Sequence, residues 1–264
     1  MADSLTDGRP RQRWVEHAMG TVFSIDLRDP GVSHDVLAEV VAWLHEVDAT
    51  FSTYRPDSAI SRMARGELRL ADCPPEVAEV LDLCARAERD TEGYFCARWN
   101  GGLDPTGLVK GWSVERAHAM LVAAGSRAHA INGGGDVRTN GQPAPGEPWR
   151  IGVAHPLTPG VCVTVVTGPD LAVATSGNAE RGEHILDPFT GRPADALAGL
   201  TVVGPDLALA DAYATGGVAM GRHAVDLIAG IDGYEAFAVT RHGRLCWTPG
   251  YPEVGAIPPL TAVG

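Results

Sequence analysis

The chain has 264 residues, enough for one large domain or two small ones. At 45% hydrophobic and 20% charged it has a core to bury, which excludes a disordered or low-complexity chain. A formal net charge of −12 argues against nucleic acid as a partner, and an anionic small molecule would need a local cationic site or a metal. The five cysteines (Cys73, Cys84, Cys96, Cys162, Cys246) are odd in number and form no CxxC pair, so they are not a disulfide framework and a reducing compartment is expected.

The opening MADSLTDGRPRQRW lacks the apolar stretch of about 7–15 residues that an export signal needs. No apolar run approaches the roughly 18 residues of a membrane helix. The expectation is a soluble, cytoplasmic protein with no membrane partner. Residues 1–14 are read as a disordered tail and 15–264 as one domain, in preference to a break near 142–148.

TVFSIDL (21–27) alternates apolar and polar residues and predicts a strand. Residues 35–50 place Val36, Val40, Trp43, Leu44 and Val47 at helical spacing, with Ser33 as a cap. CPPEVAEVLDLCARAERD predicts a second helix with proline in its first turn, and KGWSVERAHAMLVAAG a third, stopped by Gly125. AHAIN is a short strand and QPAPGEP a surface loop. WRIGVAH, VCVTVVT, LAVATS, LTVVG and EAFAVT are strands. Short links between successive strands favour antiparallel pairing with packed helices, hence an α+β fold of mixed, largely antiparallel sheets.

Four stretches carry candidate chemistry. In ALADAYATGGVAMG, Asp211 and Thr215 stand at i and i+4 on one face of an apolar helix. A carboxylate and a hydroxyl are hard oxygen ligands suited to Mg²⁺. A threonine bonding back to the i−4 carbonyl explains the pair equally. In LDPTGLVKGW, Asp104, Pro105 and Gly107 break the chain before a helix whose start favours anions, and Lys110 is placed in the first turn, where a phosphate would justify a cation. A capped turn with an exposed lysine is the competing explanation. INGGGDVRTNG fits either a close backbone approach to a ligand or a hairpin turn, and it does not satisfy GxGxxG. HILDPFTG sets His184 near Asp187, an arrangement for a general base.

AMGTVFSI, FSTYRPDSAISRM, DPTGLVKGW, INGGGD, TSGNAERGEHILDPFTGRP and ADAYATGGVAMG, in that order, resemble the ApbE family of FAD:protein FMN transferases from about residue 18 to 240. The resemblance implies an α+β fold with FAD in a cleft, and Mg²⁺-dependent cleavage of FAD. FMN would pass to a threonine of an acceptor protein, with release of AMP. It further implies Asp211, Thr215 and the Gly107 carbonyl as metal ligands and Met19 and Tyr54 as flavin contacts. Asp104 and Lys110 would hold FAD, and His184 would act at the cofactor or as the base, with Asp211 also in the catalytic set. Two departures stand out. Only CARWNGGL lies between Phe95 and Asp104, where many relatives are longer, leaving Trp99, Gly101 and Gly102 as a shortened counterpart. Many relatives are exported lipoproteins, and the lipobox is missing here. Two other readings stay open: an FAD pyrophosphatase without a protein acceptor, and a protein that binds FAD without turning it over.

Overall fold

The computed structural model describes residues 12–29, 32–99, 101–177 and 185–257. Its centre is an eight-stranded sheet ordered β1-β2-β3-β4-β7-β8-β9-β10, with antiparallel pairing at each described junction. The strands are β1 (Gln12–Ala18), β2 (Thr21–Leu27), β3 (His129–Gly133), β4 (Asp136–Asn140), β7 (Ala172–Gly177), β8 (Leu197–Gly204), β9 (Glu235–Thr240) and β10 (Leu245–Trp247). A separate hairpin pairs β5 (Trp149–Ala154) with β6 (Cys162–Gly168). The helices are α1 (His34–Phe51), α2 (Ala59–Ala64), α3 (Pro75–Asp90), α4 (Thr106–Ala123), α5 (Leu207–Met220), α6 (Ala224–Ile228) and α7 (Tyr251–Val254). The α+β expectation holds.

Strand alternation assigns each face of the sheet its own cover. Phe23, Ile25, Ala172, Ala174, Leu200, Val202, Ala236 and Ala238 face the helices and join the main core with Leu44, Leu108, Val114 and Tyr213. Val173, Val203, Phe237 and Val239 point the other way and pack with Trp149, Val153, Val166 and Tyr251 under the β5–β6 hairpin. α5 is buried on nearly every side, which explains its almost uninterrupted run of alanine, leucine and glycine.

Two expectations need correction, and one alternative left open finds a local answer. β1 begins at Gln12, so Gln12, Arg13 and Trp14 belong to the sheet rather than to a tail over 1–14. Pairing with β2 along its whole length supplies its hydrogen bonds. α4 begins at Thr106, immediately after Pro105, because the Asp104 carboxylate accepts the Thr106 N–H at 2.9 Å and its hydroxyl at 2.6 Å and starts the helix there. Lys110 therefore lies in the second turn, not the first. The glycines of INGGGD form a two-residue hairpin turn in which Gly134 (φ 57°) and Gly135 (φ 99°) are left-handed, so the hairpin alternative accounts for them locally.

Candidate active site

A cleft of about 1600 Å³ opens where α4 and α5 meet the ends of the central strands. Met19, Tyr54, Asp104, Gly107, Lys110, Asp211 and Thr215, proposed from distant parts of the sequence, all line it. Met19 sits at the β1–β2 turn with φ 50°, a left-handed conformation that costs a methionine roughly 1–2 kcal/mol. Such strain concentrates at functional positions. Tyr54, after the end of α1, is 96% exposed and lines the cleft.

Close packing of α4 on α5 builds the centre of the site. Gly111 permits it: a Cβ there would collide with the Leu207 carbonyl and stand 2.8 Å from Asp211 Cβ. At this separation the Gly111 N–H donates to Asp211 Oδ2 at 2.9 Å. In an ordinary helix that N–H serves the carbonyl four residues back, which is Gly107's. Gly107 thus stands one turn before the amide that Asp211 contacts. One turn along α5, the Thr215 hydroxyl lies 3.1 Å from the Ser176 hydroxyl of β7. A Cβ at Gly107 would come within 3.2 Å of the Thr215 methyl and 3.4 Å of its hydroxyl oxygen, so glycine keeps this corner open.

Asp211 is 2% exposed and Asp136, the first residue of β4, is fully buried. Lys110 Nζ forms an ion pair with Asp136 Oδ2 and lies 3.4 Å from Asp211 Oδ1. Asp136 Oδ1 accepts the Thr175 N–H at 3.1 Å. The β4–β7 ladder has already stopped by then, since its register runs only over Val137 and Arg138. Each carboxylate therefore has one oxygen on a backbone amide and the other beside the same ammonium.

These atoms suit a hard cation. The Asp211 carboxylate, Thr215 hydroxyl and Gly107 carbonyl are oxygen donors of the kind Mg²⁺ takes, and the glycine corner leaves space beside the hydroxyl. Among the described residues no three His, Cys, Asp or Glu side chains cluster as a zinc or iron site would require. Cysteine chemistry is also disfavoured. Burial pushes the Cys96 thiol up, and pushes Cys84 to about 12 with the Asp104 carboxylate adding to it, so neither rests as a thiolate.

The chain matches the ApbE family over residues 19–100 and 97–238. The chain belongs to the ApbE family. The FAD:protein FMN transferase of Rhodobacter capsulatus is 29% identical over 232 residues, covering 84% of this chain but only 41% of that protein's length. The enzyme of the same name from Vibrio cholerae is 27% identical over 266 residues, covering 77% of this chain and 80% of its own. Among solved structures, the ApbE protein of Thermotoga maritima superposes with a TM-score of 0.84 at 20% identity, covering 93% of this chain and 99% of that one. The Pseudomonas stutzeri flavinyl transferase ApbE superposes with a TM-score of 0.80 at 23% identity, covering 93% and 96%. These structures share the fold.

Within this ApbE chain, His184 lies outside the described residues. Asp187, expected to orient it, is engaged in its own DPFTG turn, where it accepts the Phe189 N–H at 2.8 Å and the Thr190 hydroxyl at 2.9 Å. That turn reaches the shortened segment, where Trp99 Nε1 donates to the Pro188 carbonyl at 3.2 Å. Asp136 joins the site although the INGGGD motif points only to its glycines. A further signal lies in the composition. Lys110 is the only lysine in 264 residues; every other strong cation is arginine.

Proposed function

We propose that this ApbE-family chain is a Mg²⁺-dependent FAD:protein FMN transferase. The observation that supports the reading is the convergence of Met19, Tyr54, Asp104, Gly107, Lys110, Asp211 and Thr215 on one cleft, with Lys110 Nζ 3.4 Å from Asp211 Oδ1 and the Gly107 corner facing Thr215. FAD brings a pyrophosphate dianion into a protein of net charge −12, so the cleft must supply local positive charge. Lys110 provides one such charge. Mg²⁺ held by Asp211, Thr215 and the Gly107 carbonyl would supply Lewis-acid neutralisation of the pyrophosphate.

Phosphoryl transfer depends mainly on alignment and charge neutralisation. The chain's part is therefore to bind and orient. Met19 and Tyr54 would flank the flavin, and Lys110 would lie against a phosphate oxygen. The acceptor threonine Oγ forms a bond to the FMN phosphorus, the bond from that phosphorus to the bridging oxygen breaks, and AMP leaves with that oxygen. The threonine proton passes to a base, a role proposed for His184 on the family resemblance.

Incubation with FAD and Mg²⁺, with and without a small acceptor protein carrying a candidate threonine, tests the reading. AMP release together with covalent yellow label on the acceptor is the expected result. AMP release without label would make the protein a pyrophosphatase, and neither would make it a flavin binder.

A further inference from the structure

Lys110 poses a problem for the site just described. An ammonium 3.4 Å from Asp211 Oδ1 is well placed to neutralise the very carboxylate that a divalent cation would need. A lysine on a flexible four-carbon stem settles wherever the negative charge is strongest. The same ammonium is also ion-paired with Asp136, so a second carboxylate competes with Asp211 for it.

Asp136 has the position and the fixation to do this. It is fully buried at the start of β4, directly after the Gly134–Gly135 turn. Its Oδ1 is anchored on the Thr175 amide of β7, and its Oδ2 pairs with the Lys110 ammonium. Asp211 is anchored in a similar way, through Oδ2 on the Gly111 amide. The ammonium thus contacts two carboxylates, each of which has its other oxygen on a backbone amide. A guanidinium is a planar fork and does not fit this role as a point charge does, which matches the survival of a single lysine in a chain that otherwise uses arginine.

We infer that Asp136 is a positioning residue: it draws the Lys110 ammonium off Asp211, leaving that carboxylate available to a divalent cation while the ammonium stays at the pyrophosphate side of the cleft. The inference rests on the hard-oxygen reading of Asp211, Thr215 and Gly107. It makes Asp136 act through Lys110 rather than by touching FAD.

The test uses Mn²⁺ as the probe, with free ion counted by electron paramagnetic resonance, on the wild type and four variants. Asp136→Asn keeps an oxygen for the Thr175 amide but removes the charge, so Lys110 should move onto Asp211 and Mn²⁺ affinity should fall about 10-fold or more. Asp136→Glu should retain most of the affinity. The deciding variant is Asp136→Asn combined with Lys110→Met. Removing the displaced ammonium should restore Mn²⁺ binding toward that of Lys110→Met alone, a rescue that a damaged fold would not show. A double variant no better than Asp136→Asn would overturn the inference. A second readout needs no metal. Lysine labelled with ¹³C at Cε gives one resonance in this protein, and Asp136→Asn should shift it, whereas an unchanged signal would also overturn the proposal. If the wild type binds no Mn²⁺, the hard-oxygen reading fails together with the metal half of the inference, and the lysine signal alone decides whether Asp136 positions Lys110.

Discussion

At the scale of single residues, the site is a matter of a few oxygens whose partners are fixed. Asp211 is the sharpest case, since one carboxylate oxygen serves the Gly111 amide and the other faces Lys110. Asp211→Asn keeps an acceptor for the amide and removes only the charge. It should lower the rate of AMP release from FAD by at least about 100-fold, given that even residues that merely support a metal ligand are worth about 10–100-fold. The thermal midpoint should stay close to that of the wild type. Activity at the wild-type rate with Mg²⁺ would remove Asp211 from the metal set. Asp211 and Thr215 are legible in the sequence because polar oxygens at i and i+4 stand out in a helix that is otherwise alanine, leucine and glycine. Asp136 is not legible in this role. Its partners Lys110 and Thr175 lie in α4 and β7, and only the packing of α4 on β4 and the pairing of β4 with β7 bring them to it.

At the scale of elements, the contact between α4 and α5 sets the site's dimensions. Gly111→Ala would press a methyl group against the Leu207 carbonyl and the Asp211 side chain, both parts of a buried helix with no room to yield. Overpacking of this kind costs about 1–3 kcal/mol. A urea titration should show that loss, and AMP release should fall further than the stability change explains, because the same methyl displaces Asp211. Gly107→Ala meets only side-chain ends of Phe95 and Thr215 at 3.2 to 3.4 Å and should cost less stability. Equal losses at the two positions would mean that the helices slide apart freely. Helices α1 and α3 can be read from periodicity because each buries one apolar face, whereas the central strands β8 and β9, buried on both faces, read as short apolar runs. β1 cannot: QRWVEHA exposes Val15 while its paired neighbour β2 carries the core side chains, so its alternation has the wrong sense for a buried strand. β4 is equally hard to see, because DVRTN sends Asp136 and Arg138 inward, toward Lys110 and Glu115, where a core strand would carry hydrocarbon.

At the scale of the whole molecule, stability should depend on pH through two histidines that are not among the residues lining the cleft. His118 Nδ1 and His129 Nε2 are 3.0 Å apart, and His129 Nδ1 lies 2.9 Å from the Ser126 hydroxyl, which in turn donates to Asp29 at 3.2 Å. Burial lowers His118 from its ordinary value to about 4. Burial, with His118 adding to it, lowers His129 to about 3. Both are neutral in the folded protein at neutral pH. In the unfolded chain each titrates near 6.5, so the unfolded state binds more protons below that pH. Folding stability should therefore be insensitive to these groups above pH 7 and fall steadily as the pH drops from about 6.5 toward 4. Urea midpoints across that range measure the slope. In His118→Gln the slope should be shallower, even if the variant is less stable at pH 7. An unchanged slope would place the acid sensitivity in the carboxylates instead.

The single lysine also makes the protein its own reporter of opening. A lysyl-specific protease has one bond to cut, between Lys110 and Gly111, in the second turn of α4 and pressed against α5. That bond reaches a protease only when α4 unwinds and leaves its neighbour, so the intact fold should resist digestion and each cleavage should record one opening event. Two fragments, 1–110 and 111–264, would be the whole product pattern. When opening and reclosing are fast relative to cleavage, any molecule that binds the closed cleft slows the cut by a factor of 1 + [L]/Kd. Nucleotides, flavins and cations could then be ranked on a gel without labels and without turnover.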